Sequence, residues 1–217
     1  DLDGTLIDHF STITNCIVHT QRILGLPESD YSTVRATVGG SLPVTLSKLC
    51  GAENLANAEP LFREHFEKII FDEVFTLPGA EWVLESLKRS GAKLGVFTNK
   101  YTKHSQSVLD HLKLSKYFDM ILGTGEPDCP YRKPDPLFTA YALEKMDCSS
   151  NDAIMVGDSP YDLASAEASS IDCYLVATGT HSSKELSEYA DEHLIYKSLY
   201  ELGEQVFKLK SPERLNI

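Results

Sequence analysis

The feature that most constrains the fold is a change of hydrophobic period at Pro78-Gly79. Before that point, from Phe10 to Phe75, apolar residues recur only at helical spacing. Ile13, Ile17, Val18 and Ile23-Leu24 mark one helix. Leu42, Leu46 and Leu49 mark a second after a turn at Gly39-Gly40, and Phe62, Phe66, Ile69 and Ile70 a third. After Pro78-Gly79, short apolar runs alternate with helical stretches. Ala80 to Ser90 reads as a helix stopped near Gly91, and Lys93 to Phe97 as a short buried strand. Asp119 to Leu122, Ala153 to Val156 and Asp172 to Val176 read as further strands, with a last short one at His193 to Ile195. Helices are expected over Leu137 to Met146, Leu163 to Ala168 and Ser182 to Tyr189.

Short strands alternating with helices predict an α/β core around one parallel sheet, Rossmann-like in type. The all-helical stretch reads as an insertion after the first loop of that core. The expected division is residues 1–9 and 79–217 for the core and 10–78 for a helical cap. Linkers fall near Ile7 to Phe10 and Thr76 to Gly79, with Pro78-Gly79 a natural hinge. The sequence opens at Asp1-Leu2-Asp3 without Met. A doubly wound sheet wants an apolar strand just before such residues, so a short strand is expected to precede them in the full protein. The tail around Lys208 to Pro212 reads as a fraying end.

The formal net charge of -12 argues against nucleic acid or an anionic membrane as partner. The 5 cysteines, Cys16, Cys50, Cys129, Cys148 and Cys173, are scattered without a Cys-x-x-Cys pair. They read as reduced thiols of a cytoplasmic protein rather than as metal ligands or disulfides. No secretory signal and no long apolar run stands out.

In open parallel sheets ligands bind beyond the carboxyl ends of the strands, so the loops there carry the function. Four hold unusual polar residues: Asp1-Leu2-Asp3-Gly4-Thr5-Leu6, Thr98-Asn99-Lys100, Arg132-Lys133-Pro134-Asp135-Pro136, and Gly157-Asp158-Ser159-Pro160-Tyr161-Asp162. These supply the parts of a phosphoryl-transfer site. Asp1 and Asp158 offer carboxylate oxygens from two loops to one hard divalent cation. Such a cation offsets the repulsion between a carboxylate nucleophile and a phosphate dianion. Thr98, Asn99 and Lys133 offer a hydroxyl, an amide and an ammonium to the transferring oxygens. Asp1 and Asp3, two apart in an extended segment, project to one side, and crowded carboxylates tend to divide into different roles. Gly4 permits the sharp turn that follows.

Taken in order, the four stretches resemble the motifs of the haloacid dehalogenase superfamily, and the match runs from Asp1 to Asp162. The helical insert resembles the cap of the phosphoglycolate phosphatase-like branch. The resemblance implies a Mg²⁺-dependent phosphatase acting on a small phosphorylated metabolite through an aspartyl-phosphate, as a monomer or homodimer. It implies Asp1 as nucleophile and metal ligand, and Asp3 as general acid and base that also ligates metal through its backbone carbonyl. Thr98 and Asn99 would hold phosphate or orient Asp1, and Lys133 would neutralise charge on Asp1 and the phosphate. Asp158 would bind Mg²⁺ directly, and Asp162 would hold Lys133 or a metal-bound water.

Other readings compete. Asp3 sets the chain apart from the dehalogenase and phosphonoacetaldehyde hydrolase branches, which lack an Asp there. Sugar phosphomutases keep both aspartates but carry a cap arginine three residues beyond the glycine that Gly39 matches. Here that residue is Leu42, and Arg35 has the wrong spacing to substitute. A non-catalytic protein that binds a phosphorylated ligand is the remaining alternative. Asp162 could serve only the helix dipole, and Thr98-Asn99 could be a helix N-cap. His104 is expected to face outward on a helix. Trp82 and Phe62, Phe66, Phe71 and Phe75 read as core or hinge packing, and Asp128 to Tyr131 as shaping the loop that presents Lys133.

Overall fold

The structure, a computed structural model, describes residues 1–210. Strand β1 (Ile7–Asp8) pairs antiparallel with β2 (Phe75–Thr76), so the two ends of the insert leave the rest of the chain side by side. Between them lie α1 (Phe10–Ile23), α2 (Tyr31–Thr37), α3 (Leu42–Cys50) and α4 (Leu55–Ile69). Four helices form where the sequence pattern marked three; α2 is short and buries only Val34, too little apolar surface to register as a period. Helix α1 buries Phe10, Ile13, Cys16 and Ile17 and α4 buries Ala58, Phe62 and Phe66, one stripe from each.

Beyond the insert come α5 (Ala80–Arg89), β3 (Gly95–Tyr101), α6 (Thr102–His111), β4 (Met120–Thr124) and α7 (Pro136–Met146). They are followed by β5 (Ile154–Gly157), α8 (Pro160–Glu167), β6 (Asp172–Val176), α9 (Ser183–Leu186), β7 (Ile195–Tyr196) and α10 (Leu199–Gln205). Helix α5 buries Ala80, Val83 and Leu84 on one face. Asp135 starts α7 by accepting from the Leu137 N–H, with Pro136 at the position where a missing donor costs nothing. Two helices escaped the sequence pattern because each buries only two large apolar residues: Val108 and Leu109 in α6, and Leu199 and Leu202 in α10.

The strands are parallel but do not form one continuous ladder. β3 pairs with β4, and β5, β6 and β7 form a second group. Asp1 lies beside β5, with its backbone nitrogen donating to the Val156 carbonyl at 2.7 Å, and Leu2 is fully buried. No backbone hydrogen bonds join β3 to β5 among the described residues. Both groups still aim their carboxyl ends at the same place.

The end near Lys208 to Lys210 is held rather than frayed: the Leu209 N–H donates to Gly203, and the Lys210 carbonyl accepts from the Trp82 indole. Ser211 and Pro212 of that stretch lie outside the described residues. No helix among the described residues is long and apolar enough to cross a membrane.

Candidate active site

The loop after Asp1 folds back tightly, with the Leu2 carbonyl accepting from the Thr5, Leu6 and Ile7 N–H groups. Gly4 adopts φ +87°, and a Cβ there would stand 2.7 Å from Asp158 Oδ2. Only glycine allows both the left-handed turn and this approach of the two acidic loops.

Lys133 reaches into the same place and is 2% exposed. Its Nζ lies 2.7 Å from Asp1 Oδ1 and 2.6 Å from Asp162 Oδ1. The Asp162 contact is a hydrogen bond, whereas the Asp1 contact lacks hydrogen-bond alignment and leaves Asp1 Oδ1 without a hydrogen-bond partner. Asn99 fixes the Lys133 backbone from both sides: its Oδ1 accepts from the Lys133 N–H at 2.8 Å, and its amide donates to the Lys133 carbonyl at 3.2 Å. The same amide donates to Gly39 O of the insert at 3.1 Å. Asn99 thus spends its side chain on positioning. Thr98 is buried beside it and accepts from the Lys100 N–H.

Asp158 and Asp162 are both buried at the start of α8. Asp162 closes a capping box with Ser159, accepting from the Ser159 N–H and hydroxyl, and also holds Lys133. The two readings of Asp162, helix terminus and lysine partner, hold together. Asp158 accepts from the Thr5 hydroxyl through Oδ1 and from the Thr180 N–H and hydroxyl through Oδ2. Burial, and then the neighbouring charge of Asp162, pushes the Asp158 carboxyl up to about 6. Burial acts the same way on Asp162, but the charge of Lys133 outweighs it and holds that carboxyl below its ordinary value.

Asp3 is served by a different lysine. Lys100 Nζ donates to both its oxygens, at 3.0 and 3.2 Å, and lies 3.3 Å from His9 Nδ1. His9 is fully buried and its Nε2 lies 2.9 Å from the Ile70 carbonyl, so the ring links Asp3 to the end of α4. Burial, then Lys100, pushes the His9 imidazole down to about 3, so it is neutral. Lys100, His9, Thr5 and Thr180 were not singled out for roles in the sequence. Lys100 stood in plain view beside Asn99, whereas nothing in the spacing marks Thr180.

Between the insert and the strand ends is a cavity of about 230 Å³ that reaches Asp3 and Asn99. His104 borders it and is buried, contrary to the expectation of an outward-facing residue, because α4 covers that side of α6 and sets Phe66 against the ring at 5.1 Å. Phe62 and Phe66 also border the cavity rather than only packing a core, while Phe71 and Phe75 are exposed. Trp82 packs on Tyr200. On the opposite side of the insert, Arg35 donates to the Gly179 and Thr178 carbonyls at 2.9 and 3.0 Å, so its guanidinium is committed to the backbone.

The donor set suits a hard cation. Carboxylate oxygens of Asp1, Asp158 and Asp162 lie within 4.8 Å of one another. Asp162 is filled by its own donors, so Asp1, with an orphaned buried oxygen, and Asp158, a carboxylate buried without a paired cation, are the two with capacity for Mg²⁺.

The chain is 28% identical to phosphoglycolate phosphatase 1 of Pseudomonas aeruginosa, over 98% of this chain and 81% of that one. It is 33% identical to the phosphoglycolate phosphatase of Aquifex aeolicus, over 75% and 76% respectively. The crystal structure of a predicted phosphatase from Clostridium acetobutylicum superposes with a TM-score of 0.86 at 32% identity, covering 96% of each chain. The family model of haloacid dehalogenase-like hydrolases matches residues 1–176, which takes in all four polar loops, and the chain belongs to that family.

Proposed function

We propose that the chain is a Mg²⁺-dependent phosphatase that hydrolyses a small phosphate monoester through an aspartyl-phosphate on Asp1. The observation that carries this reading is the buried Lys133 standing between Asp1 and Asp162 with Asp158 alongside. Phosphatases among the relatives support it, and phosphoglycolate is one candidate substrate on the strength of their names.

Asp1 attacks phosphorus, the P–O bond to the leaving group breaks, and Asp3 delivers a proton to that oxygen. A water then attacks the acyl phosphate, giving up its proton to Asp3 and restoring Asp1. Lys133 and the buried Thr98 hold positive charge and a hydroxyl toward the phosphoryl oxygens, and Asn99 keeps the Lys133 loop in register. Asp1, Asp158 and the backbone carbonyl of Asp3 would hold Mg²⁺, which would supply the charge that lets a carboxylate approach a phosphate dianion. Asp162 aligns Lys133. Residues 10–78 act as a cap that closes over the core of 1–9 and 79–217, excluding water until the alcohol has left. A cytoplasmic enzyme, monomer or homodimer, acting on a soluble metabolite fits this assignment.

Two features favour hydrolysis over the mutase alternative: Leu42 occupies the mutase arginine position, and Arg35 is tied to backbone carbonyls. The test is release of phosphate from p-nitrophenyl phosphate with Mg²⁺, its loss on chelation and its return with added Mg²⁺. Full turnover in excess chelator, or none under any condition, would sink the assignment.

A further inference from the structure

Arg35 lies on α2 of the insert, yet its guanidinium reaches out of it. It crosses to the loop after β6, where Nε donates to the Gly179 carbonyl and Nη2 to the Thr178 carbonyl. Phe10, fully buried at the start of α1, backs the guanidinium with its ring at 5.2 Å. Two carbonyls and a ring face fix this side chain, whose planar fork loses little freedom per bond formed.

The same loop grips a carboxylate that the cation needs. Thr178 donates its hydroxyl to the Gly4 carbonyl at 2.7 Å, which ties the loop to the turn after Asp3. Thr180 donates both its N–H and its hydroxyl to Asp158 Oδ2, at 2.8 and 3.1 Å. Gly179 is pressed on that carboxylate so closely that a Cβ there would collide with Oδ2. A carboxylate offers about four lone-pair sites, two on each oxygen. Thr180 fills both on Oδ2, and Thr5 fills one on Oδ1. The site left over is on Oδ1, so the loop selects which oxygen of Asp158 is open to a cation.

We propose that Thr180 and Arg35 are positioning residues for Mg²⁺. Thr180 holds Asp158 so that Oδ1 stays open, and Arg35 ties the loop that carries Thr180 to the insert. Seating of the insert and binding of the cation then strengthen each other, because a coupling between two equilibria acts equally in both directions. This rests on the phosphatase reading and deepens it: cation affinity at the same site is set in part from the insert. Neither residue touches the phosphoryl group.

Calorimetric titration of Mg²⁺ into the full chain, without substrate, tests this apart from turnover. Thr180→Val keeps the backbone N–H and loses the hydroxyl; it is expected to raise the Mg²⁺ Kd about tenfold, with Thr180→Ser within about twofold of wild type. Arg35→Ala lies away from the cation, yet should raise the same Kd about fivefold. Arg35→Lys, which can still donate to a carbonyl, should recover part of that loss. The two losses should combine to less than their product in Arg35→Ala/Thr180→Val, since both act through one loop. In the reverse direction, saturating Mg²⁺ should contract wild type in small-angle scattering more than it contracts Arg35→Ala. A wild-type Kd in Arg35→Ala, or equal contraction of both proteins, overturns the coupling. A wild-type Kd in Thr180→Val, or equal losses in Thr180→Val and Thr180→Ser, overturns it independently. A wild type that binds Mg²⁺ with these couplings but releases no phosphate from p-nitrophenyl phosphate retires the phosphatase reading alone, and one that binds no Mg²⁺ retires both.

Discussion

Lys133 Nζ stands 2.6 Å from Asp162 Oδ1 in an ion pair that solvent scarcely reaches. A buried pair of this kind is costly to break from one side, because the remaining charge has no water to receive it. Lys133→Met leaves Asp1 and Asp162 without their shared cation. It is expected to lower unfolding free energy by about 3–5 kcal/mol in urea titrations. Turnover should fall by roughly 10²–10³ under conditions where the variant stays folded. Asp162→Asn should lose comparable stability; a variant at either position with wild-type stability would contradict the coupling.

Asp158 behaves oppositely. Its carboxyl is raised to about 6 from an ordinary 3.8, so in the absence of cation the fold favours the protonated form. The stability linked to that proton is present below pH 3.8 and is lost as pH rises through 6. In chelator at pH 8, Asp158→Asn should therefore be more stable than wild type, by about 1–3 kcal/mol. The gain should shrink as pH falls through 6. Saturating Mg²⁺ should reverse the order by stabilising wild type alone. Thermal melts at the two pH values, with and without Mg²⁺, measure both effects.

Asp1 and Asp3 are held by different lysines and should separate kinetically. Asp1→Asn should form no phosphoenzyme with any ester. Asp3→Asn removes the proton donor, so alkyl esters should slow by roughly 10²–10⁴, while p-nitrophenolate leaves without a proton. With that ester the Asp3→Asn protein should give a burst of about one product per site and then turn over slowly. Mass spectrometry should find the phosphate on the peptide containing Asp1; a label elsewhere would refute the nucleophile.

Arg35 clips α2 onto Thr178 and Gly179, beside the Thr180 that holds Asp158. Arg35→Ala should loosen the cap and lower kcat/KM by about tenfold, with little change in thermal midpoint. Small-angle scattering should show a larger radius of gyration for the variant. An unchanged profile and unchanged kinetics would remove Arg35 from cap closure.

Much of this site was legible in the sequence because its motifs are local. Asp1 and Asp3 share one turn, and Asp158 and Asp162 share one helix start, so spacing gave each pair, while the grouping of the separate loops rested on their place at the strand ends and on the family resemblance. The division of labour between lysines was not legible. Lys100 reaches Asp3 across a separation of 97 residues, the packing of α4 over α6 covers His104, and burial beside Lys100 keeps His9 neutral. Asn99 had the right place but its use was hidden, since its partners Gly39 and Lys133 lie on two other loops. The alternation of strands and helices indicated an α/β core, yet period says nothing about which strand edges meet.

The pairing of Ile7 with Thr76 and Asp8 with Phe75 has a consequence for modularity. The insert enters and leaves through one ladder, reinforced by the Leu77 N–H donating to Leu6. Its two ends are therefore already adjacent, and no loop must be closed to keep them so. A chain that joins Asp8 to Phe75 by a two-residue reverse turn would continue the ladder as a hairpin. The helices between would then behave as an exchangeable cassette, with Asp1, Lys133 and Asp158 left in place beneath and the choice of ester handed to whatever replaces them.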